Sequence, residues 1–520
     1  MNPVAIFPSQ TSLIPIQVAL ARFLEQGGNI FGNYPYWYLG TTPFYYLTGP
    51  VLPLVLVGLH RILPFFNLFE VFFLVIGVCW LMGGVGVYLL IREIREDEGK
   101  LGKMRDEKIA FLAAIFYVFG PMVPLFFRFS DGLYLAAFSF LPFVLLVYLK
   151  LFKKWDRKLA VLLTGLLTWE VLLDSLIIPT LVLGMAVIFL VQVGWKRAEE
   201  KLKQTFLIFA FSILLSTLWY TPGYWLTLLG APSLAGKGLF WVIGELIKLL
   251  PPALALVLAV VSVKFFKGKN GLRDFCFYWL FTYVFLTLLR FLSDPDFWMD
   301  WSSYNLELQL GLAVLGGLLA GRLLSHPNPS TCSGQVRRMK IIRINPNVLI
   351  LSVFCFLYFV FWLFITKKYV FGTLQKGIER TVEYKIGKEL SDRGTEGQRD
   401  TGDRGTEGQR DRGDKGRVFL SGTTAFWLNA FFDIPQVRGG VDQAAVDKDW
   451  REAVWEIREG TEVEESLKWL KDLGVSYLVV HTSTSSEFYH DFRNPEKFEG
   501  IEGLKMVYDE EGDRIYKIED

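Results

Sequence analysis

Three stretches of the chain set ionisable side chains at the edges of apolar runs. Arg128 and Asp131 lie in "FRFSDG", Glu170 and Asp174 in "TWEVLLDS", and Arg290, Asp294, Asp296 and Asp300 in "LLRFLSDPDFWMDWSS". Carboxylates can take and return a proton, and a guanidinium can grip an anionic group through paired hydrogen bonds. Ionisable groups among membrane-spanning residues are functional candidates by default. Glu170 and Asp174 are four residues apart, so they share one helix face, with Glu170 deeper in its apolar block. Each has a plainer account as well: Arg290 can snorkel to headgroups, Asp131 and Asp296 can cap helices, and Asp174 can pair with a neighbouring arginine.

The apolar runs that would position these groups dominate the sequence. Of 520 residues, 52% are hydrophobic, 16% aromatic and 20% charged, and the apolar residues come in long blocks rather than stripes. This predicts a mainly α, polytopic membrane protein. Blocks long enough to span fall near 68–91, 109–127, 132–152, 159–176, 177–194, 205–223, 245–265, 275–292, 304–324 and 347–366, about ten helices by span length. The basic loops "REIREDEGKLGKMRDEK", "KKWDRK", "WKRAEEKLKQ", "KFFKGKNGLRD" and "RRMKIIRINPN" alternate with loops poor in Lys and Arg, so they share one face, the cytoplasmic one. The ends carrying Asp131, Asp174 and Asp294 then face outward, as does everything after the last span. A net charge of +2 gives no reason to expect a nucleic-acid partner; the partner to expect is the lipid bilayer.

That charge alternation holds only if "GNYPYWYLGTTPFYYLTGPVLPLVLVGLH", Gly32 to His60, is not a span. Prolines at 43, 50 and 53 break the run, and its Tyr and Trp residues suit the headgroup boundary, so an outer loop with a short juxtamembrane helix over 51–63 is expected. "TSLIPIQVALARFLEQGG" reads as an amphipathic helix over 11–26 ended by Gly27 and Gly28. Having an outer N-terminal segment with no span before it, the chain reads as one whose first span has been lost by truncation. Cys79, Cys276, Cys332 and Cys355 show no metal-ligand spacing, and no metal site is expected.

"DRGTEGQRD" occurs at 392–400 and again at 403–411, in a run without apolar residues, and reads as a disordered linker. From Val418 the composition turns globular. "RVFLSG" reads as a strand, "DKDWREAVWEIREG" as a helix, "TEVEESLKWLKDLG" as a helix capped by Thr461 and ended by Gly474, "VSYLVVHTS" as a buried strand, and "LKMVYDEEGDRIYKIED" as a hairpin. The predicted organisation is an outer loop with two juxtamembrane helices over 1–67, a transmembrane domain over 68–366, a linker over 367–417 and a small outer α/β domain over 418–520.

The order amphipathic helix, Gly-Gly, "PYWYLGTTPFYYLTGPVLPLVL" and a span ending "VGVYLLIREI", continued in "VRGGVDQ" and "LKDLGVSYLVVHTS", resembles the membrane proteins labelled 6-pyruvoyl-tetrahydropterin synthase-related. That family is similar to the GT-C class, multi-span glycosyltransferases of the cell envelope that use a polyprenyl-phosphate sugar donor outside the membrane. The resemblance implies a first outer loop over a substrate cavity, an acceptor glycan or protein, and a plasma-membrane location. Such a transfer needs a base and help for the departing phosphate, and the groups at the outer helix ends make Asp131, Asp174 and Glu170 the catalytic candidates and Arg128, Arg290 and Asp294 the candidates for the donor, with Trp37 and Tyr38 for the sugar. Where the GT-C pattern has an Asp before the first juxtamembrane helix, this chain reads "FPSQTSLIP", with Ser9 and Gln10, which cannot replace a carboxylate base. Two other readings stand beside the enzyme: a degenerate, non-catalytic GT-C-like scaffold, and a transporter or flippase for a lipid-linked substrate.

Overall fold

Breakers in the sequence set the helix boundaries in the computed structural model. It describes residues 6–8, 14–95, 103–121, 132–192, 198–230, 271–293, 304–325, 374–376, 378–400, 416–440, 444–445, 449–487 and 489–519, with 360, 363, 364 and 367. In chain order the helices are α1 Ile14–Glu25, α2 Val51–Ile62, α3 Leu68–Arg95, α4 Lys103–Val118, α5 Gly132–Lys153, α6 Arg157–Leu173, α7 Ile178–Gln192 and α8 Ala198–Ser216. They continue as α9 Pro222–Gly230, α10 Gly271–Ser293, α11 Asn305–Ser325, α12 Val382–Asp400, α13 Gly422–Phe431, α14 Trp450–Glu459 and α15 Val463–Asp472. The strands are β1 Ile6–Pro8, β2 Leu374–Lys376, β3 Arg417–Phe419, β4 Val475–His481, β5 Leu504–Glu510 and β6 Asp513–Ile518. The protein is mostly helical, and among the described residues three segments are long and apolar enough to cross a membrane: Leu68–Arg95, Gly132–Lys153 and Ser175–Gln192.

The chain divides into two compact units, with the first boundary inside α3 after Phe73. One unit joins residues 1–73, 219–242 and 373–520. Within it β1 pairs antiparallel with β2. α1 is buried along most of its length between α2 and α13. It ends where Gly27 adopts φ +86° and the Gly28 amide bonds back to the Phe23 carbonyl at 2.9 Å, a left-handed stop that glycine makes without strain. The C-terminal sheet has strand order β3-β4-β6-β5, with β3 parallel to β4 and the rest antiparallel. Glu511 and Gly512 turn the β5–β6 hairpin, both at positive φ, as a two-residue turn requires.

In the other unit α4 and α11 pack most extensively. The spacing of Gly317 and Gly321 makes this possible. A Cβ on Gly317 would sit 2.8 Å from the Ile109 carbonyl oxygen and one on Gly321 2.1 Å from Ile109 Cγ1, so the helices approach as small-xxx-small pairs do. A Gly321→Val variant is expected to unfold at lower temperature, overpacking this contact by about 1–3 kcal/mol. Unchanged thermal unfolding in detergent would show the contact to be loose.

Two readings of the sequence need correction. The stretch taken as linker is helical over Val382–Asp400, because Val382, Ile386 and Leu390 recur every four residues and enter the C-terminal core with Val418, Leu428, Val479 and Ile515. The first "DRGTEGQRD" copy extends this helix; the second lies outside the described residues. Thr461 does not cap α15: Glu462 holds the N-cap position, and the Thr461 hydroxyl bonds Glu462 Oε1 at 3.2 Å.

Candidate functional site

Helices α5, α7 and α11 each contribute their third residue to one buried polar cluster in the second unit. Glu307 Oε1 accepts hydrogen bonds from the hydroxyls of Tyr134 and, at 2.7 Å, of Thr180. The two hydroxyls are 3.0 Å from each other. Trp279 of α10 donates its indole N–H to the Glu307 carbonyl at 2.7 Å, and Tyr283, one turn on, donates its hydroxyl to the Thr180 carbonyl at 3.5 Å. Glu307 stands in the first turn of α11, where the free amides of a helix start favour negative charge. It is 0% exposed, and among the described residues its Oε2 has no hydrogen-bond partner. The carboxylate is thus oriented through one oxygen, while the other is enclosed by protein.

Three helices can meet at their first turns only if all three begin at the same end of the unit. The alternation of basic loops requires this of the blocks beginning near 132, 177 and 304.

Of the sequence-selected groups, Asp174 stands at this end of α7. It closes α6, and its Oδ1 accepts from the Leu176 amide at 2.9 Å to start the short 3-10 turn that leads into α7. Glu170, one turn earlier, is fully buried, and among the described residues neither of its oxygens has a hydrogen-bond partner. Arg290 lies on α10 by its backbone, while Arg128, Asp131 and Asp294 fall outside the described residues. Reading the sequence missed Glu307, although it is the one acid in the block 304–324 and the rule that singled out Glu170 applies to it equally.

Trp37 and Tyr38, selected as a sugar platform, are core residues instead. Trp37 is 0% exposed and donates its indole N–H to Asn429 Oδ1 at 3.0 Å, and a Cβ on Gly440 would come within 2.9 Å of its ring. Tyr38 is buried edge-on against Trp450, 5.0 Å between centroids. With both faces taken by protein, neither ring can stack on a sugar. The loop is fixed further by Gln436 N–H bonding to the Tyr36 carbonyl at 2.9 Å and the Thr41 hydroxyl to the Ala444 carbonyl at 3.0 Å. Close by, α1 and α2 are tied at their ends by Glu25 Oε1 and His60 Nδ1, 2.5 Å apart and both partly exposed. The only acid in the first 60 residues is therefore engaged by a histidine.

In the C-terminal sheet domain, Glu487 fills the N-terminus of α13, accepting from the amides and hydroxyls of both Thr423 and Thr424. Asp491 accepts from the Gly422 amide at 3.2 Å, Arg438 at 3.3 Å and Arg458 at 2.9 Å. Burial opposes ionisation of Asp491, but the two guanidinium charges and the donated hydrogen bonds outweigh it and hold the carboxyl below its ordinary value. A depressed folded-state value stabilises the domain above the unfolded pKa, and this contribution is lost as pH falls through the folded one. Thermal unfolding followed from pH 7 into the acid range should show a fall that Asp491→Asn flattens. An identical pH profile for the variant would remove Asp491 from the account.

No protein family is matched by the sequence, and no curated protein is similar to it. Solved structures are similar in fold. The apo crystal structure of the Archaeoglobus fulgidus oligosaccharyltransferase aligns over 99% of this chain and 71% of its own, at 12% identity and a TM-score of 0.52. The cryo-EM structure of the arabinofuranosyltransferase AftD from Mycobacteria aligns over 99% of this chain, at 14% identity and a TM-score of 0.55. This chain spans 38% of the AftD chain. Both have the GT-C fold, and that fold is what the likeness shows here.

Proposed function

We propose that the chain is a plasma-membrane glycosyltransferase of GT-C type, with about ten spans, that moves a sugar from a polyprenyl-phosphate donor to a hydroxyl of an acceptor glycan or protein on the outer face. The observation that carries this reading is the convergence of α5, α7 and α11 on the Glu307 carboxylate at the end where Asp174 stands. Transfer of this kind needs a base near the attacking hydroxyl and cationic help for the departing phosphate. Glu307, Asp174 and, deeper, Glu170 are the candidate bases, joined by Asp131. Arg128 and Arg290, with Asp294 beside them in sequence, are the candidates for the phosphate. The 6-pyruvoyl-tetrahydropterin synthase-related resemblance and an outer C-terminal domain belong to the same reading. One observation favours a non-catalytic scaffold instead: Glu307 is fully enclosed.

Purified protein in lipid nanodiscs, given a panel of polyprenyl-phosphate monosaccharides and soluble acceptor sugars, should release polyprenyl phosphate at least about tenfold faster than empty discs, a difference of about 1.4 kcal/mol in barrier. No donor consumption across the panel would leave the scaffold. Donor crossing between leaflets without cleavage, in vesicles, would leave the transporter.

A further inference from the structure

Helices α7 and α8 are consecutive, yet they do not pack along each other: α7 lies on α5 and α10, while α8 lies on α6. Between them is a groove with a cavity volume of about 440 Å³, in the range of small-molecule sites. Its walls are apolar, with Val182, Ala186 and Leu190 from α7 and Leu202, Phe206 and Phe209 from α8. Tyr148 and Thr205 lie in the floor, their hydroxyls 2.8 Å apart and so satisfying each other. Thr205 also bonds its hydroxyl to the Lys201 carbonyl at 2.8 Å. From residue 182 to 190 the groove runs about 12 Å along α7, close to the hydrocarbon depth of one leaflet.

The charges at one end of the groove say what fits it. Lys201 stands one turn from Thr205, with its ammonium 5.4 Å from the Phe152 ring centre, and it forms no ion pair among the described residues. Lys154, in the turn between α5 and α6, and Arg157 and Lys158, in the first turn of α6, also form no ion pairs among the described residues. An apolar groove about one leaflet deep, with the Lys201 ammonium one turn beyond Thr205, is complementary to a hydrocarbon chain that carries an anionic head.

We propose that this groove binds one acyl chain of an anionic phospholipid from the cytoplasmic leaflet, with Lys201 at the headgroup phosphate. The site is distinct from the Glu307 cluster, since none of Tyr134, Thr180, Trp279, Tyr283 and Glu307 lines the groove.

The test is native mass spectrometry of the full chain, released from detergent and titrated separately with phosphatidylglycerol, phosphatidylcholine and decaprenyl phosphate. The expected result is retention of one phosphatidylglycerol with about tenfold preference over phosphatidylcholine, a factor worth about 1.4 kcal/mol. Ala186→Trp should abolish that retained lipid by filling the groove; Ala186 is exposed there, so the larger side chain displaces lipid rather than core. Lys201→Ala should keep lipid binding and remove the preference. A matched variant, Leu162→Trp on the exposed face of α6, should bind as the unmodified protein does. Equal binding of the two phospholipids, stronger retention of decaprenyl phosphate, or undiminished binding by Ala186→Trp would each overturn the proposal.

Discussion

Glu307→Ala is expected to destabilise the helical unit by about 2–4 kcal/mol, and Glu307→Gln by about 1–2 kcal/mol. Alanine removes the shared acceptor of Tyr134 and Thr180 and leaves a void among α5, α7, α10 and α11. Each orphaned buried donor costs roughly 1–3 kcal/mol, but the two hydroxyls can partly satisfy each other across their 3.0 Å separation, which caps the loss. Glutamine keeps an oxygen for the same two donors but sets its amide in the place of Oε2, where an unpaired N–H costs about 1–2 kcal/mol. The Trp279 bond is to the main-chain carbonyl and survives both changes. Thermal unfolding of both variants in nanodiscs separates the outcomes. If alanine and glutamine behave alike, the hydroxyl pair does not depend on the carboxylate.

Trp37→Ala is expected to cost about 3–5 kcal/mol, the usual loss for emptying a fully buried indole site. The ring fills a pocket among Tyr34, Tyr46, Ile16 and the Gly439–Gly440 backbone, so no small side chain can take its place. Trp37→Phe keeps part of the volume and loses the bond to Asn429; because Asn429 Oδ1 still accepts from Gln436 Nε2 at 2.7 Å, about 1–2 kcal/mol is expected. Denaturant unfolding of the full chain measures both. A stable Trp37→Ala variant that had lost only sugar binding would restore the platform role that the burial of Trp37 argues against.

Among the described residues the long apolar blocks at 68–91 and 132–152 were legible as helices, as were the ends of α1 and α2, where Gly27, Pro50 and Pro53 act locally; the blocks at 245–265 and, but for residues 360, 363 and 364, 347–366 lie outside the described residues. The break of "GNYPYWYLGTTPFYYLTGPVLPLVLVGLH" before α2 followed from its prolines together with loop charge. Helix α13 was missed because it is buried on almost every side, so "GTTAFWLNAF" shows no polar face to set a period. The interior role of α12 was hidden by the charged repeat that follows its last buried residue. Tyr134, Thr180 and Glu307 lie 46 and 127 residues apart along the chain, and no local pattern can express a contact of that kind. Trp37 was misplaced for a different reason. Aromatic residues beside glycines suit a membrane boundary and a tight core equally well, and here Gly439 and Gly440, some four hundred residues later, decide for the core.

The proposed base for sugar transfer is the Glu307 carboxylate at the meeting of three helix starts. This role is tested most directly by the rate at which nanodisc-embedded protein releases polyprenyl phosphate from a radiolabelled polyprenyl-phosphate sugar, compared between the unmodified chain and Glu307→Gln at matched unfolding temperature. The account predicts a fall of about a hundredfold or more, the scale of losing a general base. Equal rates in the two proteins would contradict it.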